Sequence, residues 1–113
     1  MHEMSICEGI LQVLEAESQT KNFKVVKKVF VEIGPLSGVE VEALRFSFDV
    51  VMKGSLADTA VLEVIETDAK AWCMNCNEPV IIKQRFDDCP QCGSAQIQVT
   101  SGEELAIKEL EVD

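Results

Sequence analysis

The first part of the chain alternates apolar and acidic residues with the period of a helix. Over residues 4–20, apolar side chains recur at near-helical spacing, and glutamates occupy positions between them. The apolar positions are Ile6, Ile10, Val13 and Leu14. Since this spacing places them near one face of a helix, the pattern predicts an amphipathic helix that begins almost at the amino terminus.

The next segment, KVVKKVFVEIG, changes to a period of two. Val29, Val31 and Ile33 alternate with Phe30 and Glu32. This is the pattern of a strand that buries one face, and a glycine follows the last apolar residue. The segment therefore predicts a half-buried strand that ends at position 34.

A second helix is predicted after the turn GPLSGVE. Ser37 and Glu40 stand three positions apart and match a capping box, in which each side chain bonds to a backbone N–H of the first helical turn. Gly54 is expected just past the end of the helix, because glycine adopts the left-handed conformation without a Cβ clash. The residues expected to face inward are Val41, Leu44, Phe48 and Val51.

Two later segments are also typical of strands: AVLEVIETDA from Ala60 and LAIKELEV from Leu105. The second slips phase between Ile107 and Leu110, which a β-bulge would explain. Together these elements predict an α+β fold of two helices packed on a three-stranded sheet, with an inserted four-cysteine, zinc-ribbon-like domain. The predicted domains are residues 1–67 plus 104–113, and residues 68–103.

Composition narrows the possible partners and compartments. A formal net charge of −10, from 20 acidic and 10 basic side chains, argues against a nucleic-acid partner, because such binding depends on Lys and Arg. No segment resembles a signal peptide, and no apolar run approaches the ~20 residues of a membrane helix. We therefore expect a cytoplasmic protein with no membrane association.

Four of the five cysteines form two C-x2-C pairs with 12 residues between the pairs. These cysteines are Cys73, Cys76, Cys89 and Cys92. Each pair can turn two sulfurs toward one ion, and two pairs complete a tetrahedron, which indicates structural zinc with no position open for water. Two redox-active pairs, or a four-thiolate iron site, are the alternatives.

The other candidate groups do not favour an enzyme. Cys7, on the first helix, is interpreted as a small buried hydrophobic residue. The chain has one histidine, His2, so no second histidine is available as a base for Cys7 or for a serine.

His2 has a different use available beside the amino terminus. A bulky second residue favours retention of Met1, which leaves the Met1 amine, the His2 amide and His2 Nδ1 able to fill three square-planar positions. The fourth position is left to the Glu3 amide, to the Glu3 carboxylate or to a partner. Such nitrogen-rich geometry suits Ni(II) or Cu(II), and a reducing cytosol holds copper mainly as Cu(I), so nickel is the candidate. A terminal histidine without function is the alternative.

The motifs MHExS, VxxExGxLSGVE, FxFDxV and WCxxC…CPxCG, in this order, resemble those of the HypA/HybF family of hydrogenase nickel-incorporation proteins. The resemblance covers essentially the whole chain. It implies a nickel metallochaperone for [NiFe]-hydrogenase maturation, with urease as a further destination in some relatives. It also implies a nickel site at His2 with the backbone of Met1 and Glu3, and zinc on the four paired cysteines.

The family resemblance also implies partners. These are the maturation GTPase HypB and the hydrogenase large-subunit precursor. Two other classes remain open on the residues alone: an acidic zinc-ribbon adaptor in which His2 is idle, and a thiol oxidoreductase, which would need a reversible disulfide and no tightly held metal.

Overall fold

The computed structural model describes residues 2–113 and contains two helices and six strands in that range. In chain order they are α1 (Glu3–Lys21), β1 (Val26–Ile33), α2 (Val41–Met52), β2 (Val61–Glu66), β3 (Ala69–Cys73), β4 (Glu78–Ile82), β5 (Ile97–Ser101) and β6 (Leu105–Val112). The strands form two three-stranded sheets, of order β2-β1-β6 and β4-β3-β5. The predicted fold class is thus confirmed: two helices, a three-stranded sheet and an inserted four-cysteine segment.

Helix α1 buries one narrow stripe. Its buried residues are Cys7, Ile10 and Leu14, three and four positions apart as the periodicity predicts. Val13 has helical spacing too, but it is 45% exposed because it lies one position away from the stripe. The helix stops at Asn22, which is left-handed (φ 58°) and donates its N–H to the carbonyl of Ser18.

Helix α2 begins differently from the prediction. Its N-cap is Glu40, whose carboxylate accepts hydrogen bonds from the backbone N–H groups of Glu42 (3.4 Å) and Ala43 (2.5 Å). The capping box at Ser37 is therefore wrong, because the helix starts only after Glu40 and the three-residue offset no longer applies. One acidic side chain satisfies two of the amides that a helix start leaves without partners.

The inward face of α2 is partly as predicted. Leu44 and Phe48 are buried, whereas Val41 and Val51 are only half-buried. Ser47 and Met52 occupy the remaining buried positions of this helix. The buried face of α2 is therefore rotated slightly from the predicted one. At the end of the helix, Gly54 is left-handed (φ 78°), as predicted.

Two compact units divide the chain. One contains Met1–Val31, Val39–Val64 and Ile107–Asp113, and the other contains Glu32–Gly38 and Ile65–Ala106. The first unit therefore holds both helices, and the second holds all four paired cysteines. Among residues 2–113, no helix combines the length and apolar character that crossing a membrane requires.

The second unit has its own antiparallel sheet, which the sequence did not predict. Strand β3 pairs on one side with β4 and on the other with β5. Its inward face belongs to a small core of Leu36, Ala69, Ala71, Cys73, Val80, Ile82 and Cys89. The opposite face exposes Trp72, which lies across from Pro79 and next to Cys73.

Backbone segments of this unit approach closely at Gly34 and Gly102. The Gly34 N–H donates to the Glu104 carbonyl (2.8 Å), and the Leu36 N–H donates to the Gly102 carbonyl (2.7 Å). A Cβ on Gly34 would overlap the carbonyl group of Gly102. The Glu104 carboxylate also accepts hydrogen bonds from the Gly102 N–H (2.7 Å) and the Thr67 hydroxyl (2.9 Å), so this crossing is tightly bonded.

Candidate metal centre

The two cysteine pairs are held by turns of the same kind. The first pair begins at Cys73, the last residue of β3, and the Asn77 N–H donates to the Cys73 carbonyl (2.8 Å). In the second pair, Gly93 N–H donates to the Cys89 carbonyl (2.8 Å). Asn77 (φ 59°) and Gly93 (φ 76°) are both left-handed, a conformation that glycine and asparagine tolerate best.

These turns bring the four sulfurs together. All four Sγ atoms lie within 4.8 Å of one another. Cys73 Sγ is 3.6 Å from Cys92 Sγ, and Cys76 Sγ is 3.9 Å from Cys89 Sγ. Every cysteine is a free thiol, since a disulfide would require about 2.05 Å. The predicted grouping of these residues is therefore present in the fold.

The sulfur separations match a single tetrahedral ion. With metal–sulfur bonds of about 2.3 Å, the sulfurs of a zinc tetrathiolate stand about 3.8 Å apart. The Cys73–Cys92 and Cys76–Cys89 sulfur separations, 3.6 and 3.9 Å, bracket this value. The donor set of four soft sulfurs also suits zinc, so the residues fit the ion that their spacing predicts.

Backbone amides support the sulfurs. The Cys76 N–H donates to Cys73 Sγ (3.3 Å), and the Gln91 N–H donates to Cys89 Sγ (3.4 Å). Such donors stabilise negative charge on sulfur, which a metal-binding thiolate must carry. Each pair thus supplies one N–H···S bond to its own first cysteine.

Hydrogen bonds within and around the cluster move the pKa values of Cys92 and Cys76 in opposite directions. The pKa of Cys92 is lowered to about 6, first by a hydrogen bond from the Asn75 side chain and then by the Ser94 backbone N–H. The pKa of Cys76 is raised, chiefly by its hydrogen bond with Cys92. Four neighbouring thiolates repel one another, so a cation is what would let all of them ionise together.

Burial is graded across the cluster. Cys73 and Cys89 are buried in the core of the unit, Cys76 is half-buried and Cys92 is exposed. An ion bound by these sulfurs would therefore contact the core of the unit on the side of Cys73 and Cys89 and lie close to solvent on the side of Cys92. Asn75, Ser94 and Asn77 were not among the predicted site residues. A position directly after a C-x2-C pair, as at Asn77 and Gly93, is the signal that could have indicated a left-handed turn residue.

The predicted nickel residues lie in the other unit. His2 is the N-cap of α1 (φ −89°, ψ 95°), is exposed, and makes no capping hydrogen bond with its side chain. Its carbonyl accepts the Ile6 N–H at 3.2 Å, so Ile6 is the first residue to donate within the helix. The predicted participation of Met1 falls outside the described residues.

Glu3 has a structural partner. Its Oε2 atom accepts the Glu40 backbone N–H (3.2 Å), which links the start of α1 to the N-cap of α2. This hydrogen bond is the largest cause of the lowered pKa of Glu3. The four paired cysteines are the group of three or more potential metal ligands found among residues 2–113, and neither His2 nor Glu3 is part of it.

Comparison with known proteins gives consistent matches over the whole chain. A family model described as "Hydrogenase/urease nickel incorporation, metallochaperone, hypA" matches residues 1–112. Two curated relatives, the "Hydrogenase maturation factor HypA" proteins of Azotobacter chroococcum mcd 1 and Azotobacter vinelandii, are 58% and 54% identical to this chain. Each alignment covers 113 residues and 100% of both chains.

A solved structure has the same fold. The solution structure of the Ni metallochaperone HypA from Helicobacter pylori aligns with a TM-score of 0.70 at 22% identity, covering 99% of this chain and 97% of that one. At this identity the likeness concerns the fold alone.

Proposed function

Because the chain belongs to the HypA family of nickel-incorporation metallochaperones, we propose that it binds one Ni(II) ion at its amino terminus and delivers it during maturation of [NiFe]-hydrogenase. Members of this family are metallochaperones of hydrogenase maturation and not enzymes. Nickel is thus cargo in this proposal, and the protein's chemistry is to hold the ion and release it.

The main support for a nickel site here is the environment of His2, the chain's one histidine. It is exposed at the N-cap of α1, and its side chain makes no capping hydrogen bond. The Met1 amine, the His2 amide and His2 Nδ1 would form the chelate. The fourth position lies trans to the His2 amide, where the Glu3 amide cannot reach because it would close a five-membered ring with the His2 amide. The Glu3 carboxylate already accepts the Glu40 N–H, so in this proposal a partner supplies the fourth ligand. The His2 amide precedes the first helical donor, Ile6, so its use breaks no helical bond.

A nickel titration tests this chelate. Untagged, zinc-loaded protein is compared with His2→Ala and with Ser5→Ala, an exposed first-turn control. We expect a square-planar visible absorption band at one equivalent for wild type and Ser5→Ala, and its loss in His2→Ala. Binding should weaken as the pH falls, because amine, amide and imidazole must all lose protons to bind. Equal binding by His2→Ala would place nickel elsewhere and sink the proposal.

In this proposal the four paired cysteines bind zinc, and the zinc has a structural role. The zinc-binding domain comprises residues 68–103. The sulfur separations of 3.6 and 3.9 Å support it. Purified protein should contain one equivalent of zinc and no colour. A visible thiolate-to-iron absorption, or reversible disulfide formation in metal-replete protein, would instead support the iron or redox alternatives.

The proposed partners are the maturation GTPase HypB and the precursor of the hydrogenase large subunit, in the cytoplasm, with urease as a second destination. Restoration of activity in a strain that lacks the gene tests the destination. Wild type should restore hydrogenase activity under nickel limitation, and His2→Ala should not unless excess nickel is supplied. Full restoration by His2→Ala without added nickel would favour an adaptor function in which His2 is idle.

A further inference from the structure

Phe86 is displayed to solvent by the loop between β4 and the second cysteine pair. Its side chain is 98% exposed, the highest value among the exposed large hydrophobic residues of the described chain. Its backbone is left-handed (φ 67°). The Asp87 N–H donates to the Gln84 carbonyl (3.3 Å), so Phe86 occupies the third position of a β-turn, where φ above zero favours glycine.

The residues around Phe86 are bonded in place. One Asp87 carboxylate oxygen, Oδ2, accepts the backbone N–H groups of Lys83 (3.1 Å) and Gln84 (3.0 Å). On the other side of the aromatic residue, the Arg85 guanidinium binds Glu103 (2.6 Å) and the Leu36 carbonyl (3.3 Å). The phenyl ring therefore projects from a constrained turn and not from a frayed segment.

Phe86 combines two features that disfavour folding. An L side chain in the left-handed region is strained, and a phenyl ring in water loses the benefit of burial. Glycine at this position would remove both penalties. The side chain is 98% exposed, so burial within the described chain offsets neither penalty, and a contact outside the chain is a role that would account for it.

The surroundings of Phe86 indicate the chemistry of an occupant. A cavity of about 340 Å³ adjoins the ring and has three apolar walls, Ala95, Ile97 and Val99. Asp87 and Asp88 complete its acidic side. The charge of Arg85, which also lines the cavity, is offset by Glu103, so the net charge beside the ring is negative. A partner that complements this surface presents an apolar pocket with basic residues at its rim.

We propose that Phe86 is a docking anchor that inserts into an apolar pocket of a partner protein, with Lys or Arg side chains of that partner facing Asp88. Exposed aromatic residues that fill a partner's pocket commonly dominate binding energy. The inference rests on the proposed function for the partner's identity: it is a protein of the nickel-delivery route.

The test measures affinity and stability on the same full-length, zinc-loaded variants. Phe86→Gly, Phe86→Tyr and the neighbouring control Gln84→Ala are titrated calorimetrically against purified HypB and against purified large-subunit precursor. We expect Phe86→Gly to bind one of these at least tenfold more weakly, while Phe86→Tyr and Gln84→Ala stay within threefold of wild type. Asp88→Lys should also weaken that binding, and most strongly at low salt.

The stability arm separates docking from a structural role. The denaturation midpoint of Phe86→Gly should equal or exceed that of wild type, because the strain is removed. A lower midpoint would show that the ring supports the fold and would overturn the proposal. Unchanged affinity of Phe86→Gly for both proteins, or no binding of wild type to either, would overturn it as well.

Nickel binding distinguishes this inference from the proposed function. Phe86 lies in the unit that holds the four cysteines, and His2 lies in the other. Phe86→Gly should therefore bind nickel as wild type does. If wild type fails to bind nickel but Phe86→Gly still loses partner affinity, the carrier function fails and the docking anchor stands.

Discussion

At the scale of single residues, Cys7 is a thiol that the fold keeps neutral. It is fully buried, and its Sγ lies 3.6 Å from the Leu44 carbonyl oxygen in hydrogen-bonding position. Burial raises the pKa of this thiol to about 11. The neutral form is thus the one that fits the core, as the interpretation of Cys7 as a small buried hydrophobic residue requires.

The raised pKa of Cys7 predicts alkaline destabilisation. Its contribution to the free energy of unfolding is complete below about pH 8.5, the unfolded value, and is lost as the pH rises through about 11. Between these limits wild type should lose on the order of 3 kcal/mol more than Cys7→Ala. Urea unfolding of both proteins at several pH values measures this; parallel pH profiles would show that Cys7 is not the titrating group.

Single residues also show how far the metal centre can be predicted from sequence. The cysteine spacing alone predicts which four sulfurs meet. Asn77 was not predicted, although it directly follows a C-x2-C pair, as Gly93 does, and asparagine tolerates positive φ. Asn75 and Phe86 were not predictable, since a hydrogen bond to Cys92 and the exposure of one ring depend on how the loops fold.

At the scale of elements, the start of α2 depends on Glu40. Replacing Glu40 with Ala removes the acceptor for the N–H groups of Glu42 and Ala43, and should cost about 0.5–2 kcal/mol of stability. Glu40→Asp keeps an effective capping carboxylate and should retain most of the wild-type value. Urea denaturation measures the difference, and equal losses in the two variants would contradict a capping role.

Two glycines, in α1 and after β1, should respond oppositely to alanine. A Cβ on Gly9 meets nothing within 4 Å in the middle of α1, so Gly9→Ala should stabilise the protein by about 1 kcal/mol through helix propensity. A Cβ on Gly34 would meet the Gly102 backbone, so Gly34→Ala should cost about 1–3 kcal/mol or more.

Thermal unfolding of the two alanine variants is the measurement. Gly38→Ala serves as a control, because its Cβ has space but its φ of 78° is unfavourable for alanine. A Gly34→Ala midpoint above that of Gly38→Ala would argue against the close backbone crossing at Gly102.

Elements with long, regular patterns were the predictable ones. Helix α1 and strand β1 carry clear periods of 3.6 and 2, and their existence is confirmed. Strands β3, β4 and β5 have five residues each, and cysteines, prolines or glutamines interrupt their apolar pattern. Their pairing depends on contacts between distant segments, which no local pattern contains. The segment predicted as one strand from Ala60 ends as β2 at Glu66, and β3 begins at Ala69.

At the scale of the whole molecule, the two units depend on different residues. Cys73→Ser should abolish stoichiometric zinc binding and expose residues 65–106 to proteolysis, since a segment of this size has a small core of its own. The helices should stay protected. His2→Ala should leave zinc content and protection unchanged. Limited proteolysis with mass spectrometry tests this, and loss of helix protection in Cys73→Ser would show that both units unfold together.

Family membership was also predictable at this scale, because it depends on several motifs in order. The amino-terminal MHE, the EIGPLSGVE turn and the paired cysteines together indicated the HypA family, and the match over residues 1–112 confirms it. The bounds of the working domains, 1–67 plus 104–113 and 68–103, stay a prediction. The chain passes between the two compact units more than once. Glu32–Gly38, for example, belongs to the unit with the cysteines although the segments on either side of it in sequence belong to the other unit. Composition alone does not reveal such an arrangement.

Trp72 gives the protein a built-in optical probe. It is the chain's one tryptophan, and there is no tyrosine, so near-ultraviolet fluorescence arises essentially from this indole ring. Trp72 is 39% exposed and directly precedes Cys73 in the chain. Its fluorescence emission should therefore change when a metal ion binds to the cysteine cluster. His2 lies in the other unit. One unlabelled sample therefore offers emission as the report on zinc and visible absorption as the report on nickel.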